Sequence, residues 1–389
     1  MSRIQNLASE RGAILVSVVL IITLSFFIAT LVLDRGVLWV SRHQAQNAAD
    51  AGAMAGALAR AYDDFEDPPA AGGVAALNAT QVAGANLVWG ASLSAPAVDP
   101  SFECPPEAAG GRCVKVNVFR DEGHGTALPT WFAPVLNITF TSQNVRATAS
   151  ARVLIANATD CLRPWAIPDK WSPEADYLSG LPFSSVSNTY GPPGPGGAGT
   201  GLTFPTSNSD FKDLGLLLPL SATDLTDMSN PIYRGSVVPL DLTGGYYASR
   251  DACNGQHIEV GDQVSTSTSP ATVPLSDFAL LNAQDSGAAW NVARHTIDGS
   301  CAPTCAPLSP RLVAFAVFDT ELFQQRRDTM DWSACPGGVP CVSIVNIVGF
   351  FIGDDSASGY VTSYPGLVSA DPPKLSADSS FLKAVTLVR

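Results

Sequence analysis

The chain has 389 residues, with 22 Lys+Arg against 35 Asp+Glu and a formal net charge of −13. An acidic chain lacks the basic footprint that neutralises phosphates, so no nucleic acid partner is expected, and the overall charge disfavours lying flat on anionic lipid. At 46% hydrophobic, with 33 Gly and 29 Pro, it can bury the cores of two domains and favours a loop-rich, β-containing fold over an all-helical one.

Residues 12–33, GAILVSVVLIITLSFFIATLVL, are uncharged and almost wholly apolar. At ~1.5 Å per residue a helix of this length measures roughly 33 Å, enough to cross a hydrocarbon core of about 30 Å. A cleaved secretory signal has a shorter apolar core, roughly 7–15 residues, and a small-residue cleavage site behind it. Here the run ends on Asp34-Arg35 with no such site directly behind, so the segment reads as a retained anchor. Arg3 and Arg11 before it nearly balance Arg35 and Arg42 after it. All eight cysteines lie at or beyond Cys104, and disulfides persist outside the cytosol. The expected topology is therefore a single membrane pass, with residues 1–11 cytoplasmic and the rest extracytoplasmic.

Residues 35–62 contain no proline and abundant alanine, so the membrane helix is expected to continue outward. Small residues recur four apart at Ala45/Ala49, Ala48/Gly52, Gly52/Gly56 and Ala55/Ala59. That spacing puts them on one face where another backbone can approach closely, and the ectodomain itself is a candidate partner.

The arrangement ERGAILV, the apolar span, Asp34-Arg35-Gly36 and then SRHQAQNAADAGAMAGA resembles the N-terminal segment of the Tad/Flp pilus-assembly proteins, the TadE/TadG-like group. The matching positions are Gly12, Asp34, Arg42, Gln46, Asn47, Ala48, Ala49, Asp50 and Ala51. Pilin-type precursors cut by a prepilin peptidase carry Glu five residues after the cleavage-site glycine. Counted from Gly12 that position is Ser17, so the chain looks more like the unprocessed TadG-like members. The resemblance implies a bacterial source, placement of the span in the bacterial inner membrane, and a membrane-anchored assembly or minor-pilin-like role. Its implied partners are membrane lipid, Tad pilus assembly proteins or pilin subunits, and the cell wall. The alternative is an anchored surface- or wall-binding, adhesin-like ectodomain.

Prolines 68 and 69 end the helix. Residues 75–88 permit a short second helix. Residues 112–120 (RCVKVNVFR) and 144–155 (NVRATASARVLI) alternate apolar and polar positions, the period of half-buried strands, and 128–136 is a short apolar run. With the resemblance, these features give a juxtamembrane helix and pilin-like α+β domain over 34–158. Beyond it, 191–201 (GPPGPGGAGTG) is a flexible loop. The apolar runs 311–318 and 342–352 read as buried strands of a mostly β, disulfide-stapled domain over 159–389. The fold class is α+β.

Cys104/Cys113, Cys301/Cys305 and Cys335/Cys341 are close pairs bracketing turn-forming Gly or Pro. The simplest of the many pairings that eight cysteines allow joins each locally and leaves Cys161 to Cys253. The rival reading is zinc, but only Cys301/Cys305 has metal-like spacing and no histidine flanks it. Asp354, Ser356 and Ser358 spell D-x-S-x-S after an apolar run, as in a metal-ion-dependent adhesion site. Too little chain follows for the rest of that domain, so a surface turn is expected. No acid–base or nucleophile constellation, phosphate-binding glycine loop or calcium-loop pattern is present. The chain is therefore read as non-enzymatic, with no cofactor.

Overall fold

The computed structural model describes residues 3–94, 97–108, 111–131, 134, 141–195, 199–253, 255–369 and 374–388. The expected apolar run 128–136 and the glycine loop 191–201 lie partly outside these. The architecture is mixed α+β: one long helix with an apolar N-terminal half, then mostly β structure carrying four disulfides. The chain divides into two compact units, the first of residues 1–63, 68–152 and 385–389 and the second of 64–67 and 153–384.

In the first unit, helix α1 runs unbroken over Arg3–Tyr62. It is long and apolar enough to cross a membrane, and every described side chain from Ile14 to Ala29 is exposed. The Thr23 hydroxyl donates back to the Val19 carbonyl at 2.8 Å, so it takes no unpaired donor into an apolar environment. In the last turn Arg60 is buried, donates from Nη1 to the Cys113 carbonyl at 3.1 Å and lies 5.6 Å from the Phe102 ring centre. A cation there also meets the negative end of the helix dipole. Helix α2, Val74–Ala85, packs on α1 through Ala75, Ala79 and Ala83, all fully buried.

Strand β1, Val98–Ser101, pairs antiparallel with β2, Arg112–Arg120. The alternation in β2 puts Val114, Val116 and Val118 in the core. The sheet continues through the Val145–Ile155 strand to Leu382–Val388, and two of the boundaries between units fall within those strands.

The second unit is built on a sheet whose central strands are Leu312–Phe318 and Cys341–Ile352, paired antiparallel. Both are almost wholly buried, which explains why they read as continuous apolar runs. Leu162–Pro168 pairs parallel to the first of them, Ser358–Thr362 antiparallel to the second. Trp165, Phe278 and Phe315 pack together, with ring centres 4.8 to 6.3 Å apart. The helix Thr320–Thr329 starts at Asp319, whose carboxylate accepts from the Leu322 N–H at 2.8 Å, a side-chain cap. Phe65, ahead of the two prolines, is buried here edge-on to Phe204.

Candidate interaction surface along the first helix

The QNAADAGA stretch sorts its side chains by helical geometry. Ala45, Ala48, Ala49, Gly52, Ala53, Gly56 and Ala57 recur three and four apart, and all are buried. A Cβ on Gly52 would lie 2.8 Å from the Ala79 carbonyl oxygen, and one on Gly56 would lie 2.7 Å from Val114 Cγ1. The partner of the small-residue face is therefore α2 and β2 of the same unit.

A neighbouring face is polar and follows the Val145–Ile155 strand. Gln46 Nε2 donates to Asp50 Oδ1 at 2.8 Å and to the Thr148 carbonyl at 3.2 Å. Gln46 and Asp50 line a cavity of about 370 Å³ with Thr148, Ser150 and Leu387. Toward the apolar half of the helix, a wider groove of about 790 Å³ is lined by Val32, Arg35, Trp39, Arg42, Asn144 and Arg146. Asp34, at the end of the apolar run, is buried, and its Oδ1 accepts from the Trp131 N–H at 3.0 Å. The Trp131 ring is exposed.

Residues 12–60 match the family model described as putative Flp pilus-assembly TadE/G-like. No curated protein and no solved structure matches the chain. The Tad segment thus coincides with the apolar run plus the alanine-rich half of α1. Of its motif positions, Gly12 sits in α1 within the apolar run, and Ala48 and Ala49 are buried. Asp34, Gln46 and Asp50 carry the hydrogen bonds above, Ala51 is half-buried, and Arg42 and Asn47 are exposed. Arg146, Asn144 and Thr148 are not part of the matched segment. They sit at polar positions of the alternating 144–155 strand, which is the signal that places them on one face.

The cysteines form Cys104–Cys113, Cys161–Cys253, Cys301–Cys305 and Cys335–Cys341, with Cα separations of 5.1, 4.5, 5.6 and 5.7 Å. The D-x-S-x-S stretch is a turn. Asp354 takes a hydrogen bond from buried Arg311, and Ser358 donates to Asp355 rather than facing an open site. His124 is half-buried: it stacks on Phe119 and bonds the Asp121 carboxylate.

One buried polar cluster was not legible in the sequence. Asp169 is fully buried in the second unit, with Oδ1 accepting from the Lys170 and Leu202 N–H groups and Oδ2 from the Tyr190 hydroxyl. Burial raises its pKa to about 7, a rise that those three hydrogen bonds limit. The neighbouring Lys170 ammonium is held by both oxygens of buried Asp213 at 2.9 and 2.7 Å. With every oxygen of Asp169 occupied by protein donors, the cluster acts as a core brace joining separated loops.

Proposed function

We propose that the chain is a membrane-anchored, non-catalytic assembly or minor-pilin-like component of a Tad/Flp pilus system. The observation that carries this reading is the family match over residues 12–60, which are also the residues that form the apolar helix and the face on which α2 packs. The helix would hold the protein beside the assembly machinery, N-terminus in the cytoplasm. Four disulfides in the rest of the chain support its extracytoplasmic placement. The polar face at Gln46 and Asp50 is the surface offered to pilin subunits or other assembly proteins. Deletion of the gene tests this directly. Loss of pili and adherence is expected, restored by the full-length chain, which should co-purify with pilus components. Normal piliation without the gene would contradict it.

A second reading, an anchored wall-binding ectodomain, draws support from the second unit, which has its own core and three of the four disulfides. Retention of the detergent-purified full chain on peptidoglycan, without co-purifying pilus proteins, would favour it.

A further inference from the structure

We propose that the groove at the end of the apolar run is a binding site for the phosphate headgroup of an anionic phospholipid. The inference rests on reading α1 as a membrane span, and goes beyond the pilus assignment in naming a ligand for a particular site.

Three arginines line this groove. Arg35 and Arg42 lie seven apart on one face of α1, and Arg146 comes from the Val145–Ile155 strand. In a chain of net charge −13 such a concentration runs against the overall field, and no acidic side chain is found among the described residues lining it. Asp34 does not line the groove, because its buried carboxylate accepts from the Trp131 N–H. The carboxyl that feels Arg146 is Asp121, held below the usual carboxylate range by its hydrogen bond with His124 and in smaller part by Arg146. Arg146 is positioned by Asn117, whose Oδ1 accepts from its Nη2 at 3.2 Å, and by the Phe119 ring 5.0 Å away.

The position suits a headgroup. Along the helix axis Arg35 sits ~3 Å and Arg42 ~14 Å beyond Leu33 at the standard rise. Helical side chains lean toward the N-terminus, so both guanidinium groups tilt back toward the bilayer. They bracket a headgroup layer of roughly 5–8 Å on each side of the hydrocarbon. Val32 and Leu38 provide apolar wall, and Trp39, largely exposed, sits where interfacial tryptophans anchor. The volume, about 790 Å³, falls within the ~300–1,000 Å³ of small-molecule sites. Guanidinium forks match phosphate oxygens in pairs, so the charge disfavouring contact elsewhere does not apply here.

The test is native mass spectrometry of the full-length chain released from nanodiscs of phosphatidylcholine mixed with phosphatidylglycerol. The wild type is expected to retain phosphatidylglycerol selectively. Each of R35Q, R42Q and R146Q should lower that retention by about fivefold, the loss of one cation near a charged surface. R294Q, an exposed arginine in the second unit, should leave it unchanged. If a glutamine variant fails to fold, the corresponding lysine variant replaces it, keeping charge and partial retention. Equal retention of both lipids by the wild type, or unchanged selectivity in all three variants, overturns the proposal. Failure to enter nanodiscs at all would instead overturn the span.

Discussion

Gly52 on the long helix and Ala83 on its neighbour are in direct contact: a Cβ added to Gly52 would come within 2.8 Å of the Ala83 Cβ and of the Ala79 carbonyl oxygen. Gly→Ala in a helix ordinarily gains up to ~1 kcal/mol, but forcing atoms into a close-packed seam costs about 1–3 kcal/mol. The backbone oxygen cannot swing aside, so the cost wins. G52A should lower stability by about 1 kcal/mol and G52L by several. G36A, where nothing lies within 4 Å, should not. Melting of the detergent-purified full chain reads all three.

Lys170 and Asp213 form a buried ion pair. Removing one partner strands a charge, so K170M should cost about 3–5 kcal/mol. The double variant K170M/D213L should lose clearly less than the sum of the single changes. Chemical denaturation gives both values; equal and additive losses would show the pair to be uncoupled.

Asp169 makes stability pH-dependent. Its pKa is raised in the folded state to about 7 from 3.8, so between those values the folded chain holds a proton that the unfolded chain has released. Stability from this group therefore falls as pH rises through that window, by about 4 kcal/mol in all. In D169N the amide oxygen can still accept from Lys170 and Leu202, and its NH₂ can donate to Tyr190. D169N should flatten the profile between pH 4 and 7 and be the more stable protein at pH 8. An unchanged slope would place the titration elsewhere.

The disulfides should differ in weight. Cys161–Cys253 closes a loop with sequence separation 92 and Cys301–Cys305 one of 4. On chain-entropy grounds the first contributes about 4–5 kcal/mol and the second about 2. C161S/C253S should therefore reduce the melting temperature well beyond C301S/C305S, measured under non-reducing conditions.

The parts of the fold carried by a repeating pattern could be read before the structure. The apolar run and the proline-free alanine stretch predict one continuous helix, and α1 is one. Val114, Val116 and Val118 alternate as a strand, and the apolar runs ending at Phe318 and Ile352 are central strands. Contacts between segments distant in the chain could not be read. Nothing near Gly52 announces that Ala79 and Ala83 are its partners. Asp169, Lys170 and Asp213 sit in unpatterned loops, and a buried charge leaves no periodic trace. The groove is intermediate: Arg35 and Arg42 are spaced to share a face, but Arg146 joins them only through strand placement.

Alkaline carbonate extraction of membranes from cells expressing the full chain tests most directly whether α1 holds the protein in a lipid bilayer. A spanning helix of this hydropathy keeps the protein in the membrane pellet at full length. Recovery in the carbonate-soluble fraction, or of a mature chain lacking residues 12–33, would contradict it.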